Sequence, residues 1–365
     1  MTGPTPRPGI MAIAPYVGGE SKADAERVIR LASNESALGT GPRAVAAYRA
    51  LAGELHRYPD GDAVALRRAL GRHHVLDPAR IVCGAGSDEL IGLLTKSYAG
   101  PGDEVLHSAH GFLMYALSAK AAGATPVAAP ESGLKADVDA LLARVTDCTR
   151  LVFLANPNNP TGSYLTTGEV RRLHAGLPDS VLLVLDAAYA EYIALDDYGA
   201  GADLVDRAAN VVMTRTFSKI YGLSALRLGW AYCPAAVADV LNRVRGPFNV
   251  TAPALAAGLA ALEDVAFVDA GRVHNDTWRG WTAERLRSLG LMVHPSVGNF
   301  VLVDFARRDG RNAAEDAESA RQALKARGIL VRQMGPYGLP GCLRVTIGTE
   351  DEMRALTDAL AEWLG

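Results

Sequence analysis

One lysine lies in a setting that favours covalent chemistry. Lysine is rare in this chain, with six residues against thirty-one arginines. Lys219 follows a short apolar run, together with the hydroxyls of Thr216 and Ser218, and Arg227 comes eight residues later. An arginine fork and hydroxyl groups bind phosphate oxygens, and a partly desolvated amine beside a phosphate is suited to attack an aldehyde. The segment therefore predicts a phosphate site with a nucleophilic lysine, and a solvated loop lysine is the alternative.

A carboxylate is predicted at the end of a buried strand. Asp186 closes the apolar run Val181-Leu-Leu-Val-Leu-Asp186, where such a strand opens into a ligand cleft. Bound to a pyridine nitrogen, a carboxylate keeps that nitrogen protonated and makes the ring an electron sink. The alternative role for Asp186 is an N-cap of the residues that follow. Tyr189 could donate to an oxygen on the same ring, and a core position is its alternative.

Two prolines constrain the turn Asn156-Pro-Asn-Asn159-Pro-Thr-Gly162, which follows another apolar run. They fix an extended and then turned backbone that cannot continue as a strand or helix. Asn159 is thereby presented as a rigid hydrogen-bond donor. A purely structural turn is the alternative.

A glycine-rich turn, Gly84-Ala-Gly-Ser-Asp-Glu89, precedes a helical pattern. Such a turn presents free backbone N–H groups at a helix N-terminus, and these bind phosphate. The turn lacks the third glycine of a dinucleotide fingerprint, so Gly86, Ser87 and Asp88 alone are a weak signal. An ordinary capped strand-to-helix turn explains them equally well.

The remaining reactive and aromatic side chains give weaker signals. Phe112 follows a predicted strand and could stack on a flat heterocycle, although core packing is the commoner role of a phenylalanine. The eight histidines have no metal-ligand spacing, and the four cysteines form no C-x-x-C pair. The sequence therefore predicts no metal site and no disulfide framework.

The elements that position these residues alternate between strand and helix. Apolar runs separated by helical patterns from about residue 80 to 235 predict a mostly parallel sheet covered by helices on both faces, an α/β fold. In such a sheet, ligands bind at the carboxyl ends of the strands, where the residues above lie. After a helical stretch at about 252–289, further strands and helices predict a smaller α+β unit. We expect an N-terminal arm at 1–40, a large domain at 41–280 and a small domain at 281–365.

Composition narrows the class of protein. The net charge of -3 and the mixing of acids with bases give no basic surface for nucleic acid. No window reaches about 18 uninterrupted apolar residues, and the N-terminus has no signal-peptide pattern. We therefore expect a soluble, cytoplasmic protein that binds neither nucleic acid nor membrane.

In this order, the motifs resemble fold-type-I aminotransferases dependent on pyridoxal 5'-phosphate, and more closely the histidinol-phosphate aminotransferase family. The resemblance covers nearly the whole chain. Its motifs are Tyr16-Val-Gly-Gly, Leu31-Ala-Ser-Asn34-Glu35, Arg57-Tyr58-Pro59-Asp60, Gly86-Ser87-Asp88-Glu89, Asn159-Pro-Thr-Gly162, Asp186 with Tyr189, Ser218-Lys219 with Arg227, Gly328-Ile-Leu-Val-Arg332 and Gly341-Cys-Leu-Arg344. It implies a large domain with a mostly parallel seven-stranded sheet and a smaller α+β domain that includes the arm.

The resemblance also implies roles around the cofactor. Lys219 would carry the cofactor as an imine and later move protons, and Asp186 would hold the pyridinium. Asn159 and Tyr189 would contact the phenolate oxygen, Asn159 would also face substrate, and Phe112 would cover the ring. The phosphate would lie among Gly86, Ser87, Asp88, Thr216, Ser218 and Arg227.

Other roles implied by the resemblance concern the small-molecule substrates and a second subunit. Arg344 would bind the carboxylate of the amino donor, and Arg332 would lie near the phosphate of histidinol phosphate. Tyr16 and Asn34 would close over the substrate. Tyr58 would reach the phosphate of the neighbouring subunit, which implies a homodimer with shared sites.

The substrate remains open between related activities. Histidinol phosphate with 2-oxoglutarate is the first hypothesis, and aromatic or broad-specificity transamination is the second. Threonine-phosphate decarboxylation and a ligand-sensing regulator on the same fold are further alternatives; the regulators carry a winged-helix segment ahead of this fold. The chain has Gly18 and Ala37 where the family often has proline, and phenylalanine rather than tyrosine at Phe112. These differences leave the expected chemistry intact but loosen the substrate assignment.

Overall fold

The strands occupy the N-terminal segment, the middle and the C-terminal part of the chain. The computed structural model describes residues 3–7, 9–15, 18–20, 22–306 and 312–365. The strands are β1 (Ile29–Leu31), β2 (Ile81–Gly84), β3 (Glu104–Ser108), β4 (Thr125–Ala129), β5 (Glu131–Ser132), β6 (Lys135–Ala136), β7 (Thr149–Ala155), β8 (Leu182–Asp186), β9 (Val211–Thr216), β10 (Gly229–Tyr232), β11 (Met292–Val293), β12 (Phe300–Asp304), β13 (Ile329–Gln333) and β14 (Cys342–Thr346).

Helices connect most of these strands. The helices are α1 (Pro42–Ala50), α2 (Val64–His74), α3 (Ser87–Tyr98), α4 (Met114–Ala122), α5 (Val138–Leu142), α6 (Thr167–Ala175), α7 (Ala202–Arg207), α8 (Ala235–Val244), α9 (Ala252–Leu262), α10 (Val265–Ser288), α11 (Ala313–Ala326) and α12 (Glu350–Leu364). The single helical stretch expected at 252–289 is therefore two helices. The backbone leaves the helical region at Asp264 (φ −90°, ψ 62°), which ends one helix and begins the next.

The larger sheet has seven strands in the order β2-β10-β9-β8-β7-β3-β4. β10 alone runs opposite to the other six strands, which confirms the predicted mostly parallel seven-stranded sheet. Along β7, Val152 and Leu154 belong to one hydrophobic cluster, and Leu151 and Phe153 belong to another on the opposite face. Both faces are buried, so these strands have apolar runs instead of alternation. The sequence does not predict the edge strand β4, because it is partly exposed and contains Pro126.

The smaller sheet combines the N-terminal segment with the C-terminal part of the chain. Its order is β1-β13-β14-β12-β11, and β1 pairs in parallel with β13 from Ile29 opposite Ile329 to Leu31 opposite Val331. Its apolar cluster includes residues of α10, α11 and α12. A strand from the predicted arm is thus built into the sheet of the smaller α+β unit.

Strand register brings the carboxyl ends of β7, β8 and β9 close together. Ala155 at the end of β7 pairs with Asp186 at the end of β8, and Asp186 pairs with Thr214 in β9. Because β9 extends two residues further, Thr216 is its last residue and lies opposite Gly229 of β10. The segments that follow these strands therefore start at one edge of the sheet.

Candidate active site

A cavity of about 240 Å³ opens at this edge of the larger sheet. It is bounded by the ends of β7, β8 and β9, by the start of α3 and by the N-terminal segment around Ser33 and Glu35. The predicted cofactor residues that line it are Ser87, Asp88, Phe112, Asn159, Asp186, Tyr189, Thr216, Ser218, Lys219 and Arg227. Sequence-distant residues of the predicted types therefore meet in one cavity.

Lys219 comes three residues after the end of β9, and its amine lies on the wall of the cavity. Nζ donates a hydrogen bond to the Ser33 carbonyl oxygen (3.2 Å) and lies 5.7 Å from the centre of the Tyr189 ring. Burial, helped by the positive charge of Arg344, lowers the pKa of Lys219 to about 8. A substantial neutral fraction near pH 8 makes this amine a competent nucleophile.

One end of the cavity is built to hold an anion. Thr216 Oγ1 lies 3.0 Å from Ser218 Oγ, and Arg227 Nη1 lies 3.5 Å from the same hydroxyl. The start of α3 at Ser87 adds free backbone N–H groups. Gly86 has a φ of 86°, and a Cβ there would lie 2.5 Å from Arg227 Nη2. Glycine is therefore required for the guanidinium to pack against the turn.

The cavity also carries a buried carboxylate. Asp186 is 5% exposed, and its two oxygens accept hydrogen bonds from Tyr115 Oη (2.8 Å) and Thr214 Oγ1 (3.1 Å). Burial raises the pKa of Asp186 to about 6, and the two hydroxyl donors oppose that rise. An anion held in a low-dielectric site can stabilise a protonated ring nitrogen.

Asn34 contacts Tyr189, one of the residues that line the cavity. Asn34 is buried, its backbone has a φ of 55°, and its Nδ2 donates to Tyr189 Oη (2.9 Å). Its backbone N–H donates to Thr346 Oγ1 (2.9 Å), and Asn299 Nδ2 donates to its carbonyl oxygen (3.1 Å). Both partners belong to the smaller unit. The predicted role of Asn34 toward substrate stays a prediction, and its contacts connect the smaller unit to the Tyr189 hydroxyl.

Two arginines of the smaller unit are neighbours in its sheet. Arg332 in β13 and Arg344 in β14 are directly opposite in an antiparallel pair, so their side chains leave the same face. Arg344 is buried and donates from Nη2 to the Ala32 carbonyl oxygen (2.7 Å) and from Nη1 to Asn159 Oδ1. Arg332 is half-buried. Arg344 therefore adjoins the cavity through Asn159.

Two of the predicted residues lie elsewhere or cannot be placed. Tyr58 is 83% exposed and stacks on Phe248 with ring centres 4.6 Å apart, instead of facing the cavity of its own chain. Tyr16 lies outside the described residues. An exposed aromatic pair is compatible with the predicted contact to a second subunit.

Two residues that support Asp186 are not predicted by the sequence. Tyr115 and Thr214 both donate hydrogen bonds to its carboxylate. Tyr115 comes only three residues after Phe112, and this short separation indicates that the two rings could be neighbours. Thr214 was detectable only through its register with Asp186.

Strand pairing also brings together three side chains of metal-ligand types. His294, Asp304 and Cys342 have ligand atoms within 4.8 Å of one another in the smaller unit. Asp304 and Cys342 are opposite residues of β12 and β14. None of the three is among the described residues that line the cavity. Spacing along the sequence does not indicate such a group, because pairing between distant strands creates it.

Comparisons with known proteins agree with this geometry. A family model described as aminotransferase class I and II matches residues 26–360. A histidinol-phosphate aminotransferase of Rhodospirillum centenum is 62% identical over 365 residues, which cover 100% of this chain and 99% of the relative. One of Rhodospirillum rubrum is 60% identical over 362 residues, 99% of this chain and 97% of the relative.

A solved structure extends the likeness to three dimensions. The crystal structure of histidinol-phosphate aminotransferase from Sinorhizobium meliloti in complex with pyridoxal-5'-phosphate has a TM-score of 0.89 and 31% sequence identity. The match covers 98% of this chain and 96% of that one. Sequence and structure therefore point to the same group of proteins.

Proposed function

We propose that this chain, which belongs to the class I and II aminotransferases and within them to the histidinol-phosphate aminotransferase family, transfers the amino group of histidinol phosphate to 2-oxoglutarate with pyridoxal 5'-phosphate as cofactor. One observation carries this proposal. A single cavity holds the Lys219 amine, an anion cradle at Arg227 and the buried carboxylate of Asp186. These three groups match the aldehyde, the phosphate and the ring nitrogen of that cofactor.

The residues present fit the cofactor. Its phosphate would be held by Arg227, by the hydroxyls of Thr216 and Ser218 and by the N-terminus of α3, because together these groups supply charged and neutral donors. Phe112 lines the cavity and would cover the ring. When bound, the cofactor supplies an electron sink for the substrate's α-carbon.

We assign the proton chemistry to Lys219 and Asp186. The Lys219 amine, once free of the aldehyde, would accept a proton from the α-carbon of the substrate and return it to the C4′ carbon. Asp186 would keep the ring nitrogen protonated, since its carboxylate is desolvated and fixed by two donors. Tyr189 and Asn159 would orient the ring through its oxygen, and both line the cavity.

Two anionic substrates can be bound in turn by the paired arginines. Arg344 would bind the carboxylate of glutamate, and Arg332 would bind the phosphate of histidinol phosphate, because both leave the same face of the smaller sheet. A charge-assisted contact of this type contributes about 1.5–3 kcal/mol. Anionic groups would therefore be the main determinants of substrate choice.

Comparing kcat/KM for histidinol phosphate with kcat/KM for phenylalanine tests the substrate, with 2-oxoglutarate as acceptor in both cases. We expect histidinol phosphate to be preferred. A preference for phenylalanine would assign the chain to aromatic transamination. Release of carbon dioxide from threonine phosphate without a keto acid would instead support decarboxylation.

The assembly we propose is a homodimer in the cytoplasm. Tyr58 is exposed in the single chain, so it is available to reach the cofactor phosphate of a partner. Cys83, Cys233 and Cys342 are buried and unpaired, which suits a reducing compartment. Among the described helices, none is long and apolar enough to cross a bilayer.

Tyr58→Phe should weaken cofactor binding without dissociating the dimer. A hydrogen bond to a charged group contributes about 1.5–3 kcal/mol, so loss of the hydroxyl should raise the Kd of the cofactor roughly tenfold or more. The substituted phenyl ring would still stack on Phe248. Fluorescence titration gives the Kd, and sedimentation checks the assembly. An unchanged Kd in a dimeric variant would remove Tyr58 from the site.

The rate of covalent cofactor attachment should depend on pH through Lys219. Only the neutral amine attacks the aldehyde, and burial lowers the pKa of Lys219 to about 8. The rate should therefore rise with pH up to about 8 and then level off. Stopped-flow absorbance of cofactor-free protein from about pH 6 to about pH 10 measures it. A rate that still rises steeply at the upper end would mean that the amine has an ordinary pKa.

A further inference from the structure

Tyr115 lies behind the cavity and is buried completely. It is in the first turn of α4, three residues after Phe112, and its side chain has 0% exposure. Its hydroxyl donates a hydrogen bond of 2.8 Å to Asp186 Oδ2. It is not one of the described residues that line the cavity, so it acts on a ligand only through its neighbours.

The ring of Tyr115 is held by two aromatic neighbours. It stacks on Phe153 of β7 with ring centres 4.7 Å apart and planes 5° apart. It also meets the ring of Phe112 edge-on, at 5.8 Å and 87°. The ring of Tyr115 therefore lies between the larger sheet and Phe112, which lines the cavity, and it has little freedom to move.

The hydroxyl of Tyr115 completes the set of donors to the carboxylate. Asp186 Oδ1 accepts from Thr214 Oγ1 on the neighbouring strand (3.1 Å), and Oδ2 accepts from Tyr115. With one donor on each oxygen, the plane of the carboxylate is fixed. Donors of this kind also offset the desolvation of a buried anion, which would otherwise become neutral.

We propose that Tyr115 is a positioning residue for the cofactor ring, fixing Asp186 toward the ring nitrogen through its hydroxyl and Phe112 against the ring face through its own ring. The inference rests on the proposed function. It deepens that proposal by naming a residue, outside the cavity, on which two contacts to the ring depend.

Two variants separate the parts played by the hydroxyl and by the ring. Tyr115→Phe removes only the donor to Asp186 and keeps both aromatic contacts. Tyr115→Leu removes the donor and the support of Phe112. Tyr232→Phe is the matched control, because Tyr232 is also buried and donates to a carboxylate, Asp206 Oδ1 (2.6 Å), in another part of the protein.

The measurement is the Kd of two ligands for each cofactor-free protein. One ligand is pyridoxal 5'-phosphate, and the other is its 1-deaza analogue, in which carbon replaces the ring nitrogen. Tyr115→Phe should raise the Kd of pyridoxal 5'-phosphate roughly tenfold and leave that of the analogue nearly unchanged. Tyr115→Leu should weaken both ligands, and Tyr232→Phe should weaken neither.

The outcomes distinguish this inference from the proposed function. An equal loss of affinity for both ligands in Tyr115→Phe would show a general structural effect and overturn the inference. Unchanged binding of pyridoxal 5'-phosphate in Tyr115→Phe would overturn it as well. In both cases, tight binding of pyridoxal 5'-phosphate by the wild-type protein would leave the proposed function standing. Failure of the wild-type protein to bind the cofactor would reject the proposed function and the inference together.

Discussion

Lys219→Ala is expected to abolish turnover while the fold and the anion cradle persist. The amine is the proposed point of covalent attachment and the proposed proton carrier, so kcat should fall by on the order of 10⁴-fold. Thr216, Ser218 and Arg227 do not depend on the amine for their hydrogen bonds, so the cofactor phosphate should still bind. Steady-state kinetics measures kcat, and circular dichroism checks that the variant is folded.

The matched control for this variant is Lys96→Ala. Lys96 is exposed, and its amine donates to the Val244 carbonyl oxygen at 3.4 Å, away from the cavity. That variant should keep wild-type kcat. Wild-type turnover in Lys219→Ala would contradict the mechanism, whereas an unfolded protein would require the milder Lys219→Arg in its place.

Asp186→Ala should retain cofactor binding at the phosphate end but lose stabilisation of charge in the ring. Removing a preorganised charge of this type lowers kcat by on the order of 10²- to 10³-fold. Asp186→Asn keeps the shape of the side chain and removes only its charge, so it should show a similar loss. Single-turnover kinetics at saturating cofactor measures the chemical step. An unchanged rate in both variants would refute the proposed role of the carboxylate.

Asp186 also gives the cofactor-free protein a pH dependence of stability. Burial raises the pKa of this carboxyl to about 6 in the folded state, above its value in the unfolded chain. The unfolded chain therefore loses the proton first as pH rises. The free energy of unfolding should fall as pH rises from about 4 to about 6, and this contribution should disappear in Asp186→Asn. Urea titrations of both cofactor-free proteins at several pH values test the difference.

The sequence predicts most of the residues that meet in the cavity because the rule that joins them is simple. Lys219, Asp186 and Asn159 follow the ends of buried strands, and parallel strands bring their carboxyl ends to one edge of a sheet. Gly86 follows the end of β2, whereas Arg227 precedes the antiparallel strand β10, whose first residue, Gly229, lies opposite Thr216 at the same edge. The resemblance to a family adds the roles of these residues, which spacing alone leaves open.

What the sequence did not predict depends on contacts between distant segments. Thr214 reaches Asp186 through strand register, and Asn34 reaches Tyr189 because β1 joins the smaller sheet. Neither contact has a local signal in the sequence, although the resemblance implies a substrate role for Asn34. Tyr115 is recognisable in principle from its short separation from Phe112 along the chain.

Borohydride reduction of the holoprotein tests the central claim most directly. Reduction converts a carbon–nitrogen double bond between an amine and pyridoxal 5'-phosphate into a stable link, and peptide mass spectrometry then locates it. The proposed function predicts a single phosphopyridoxyl group on Lys219. A modified lysine elsewhere in the chain, or no modified lysine in protein that binds the cofactor, would contradict it.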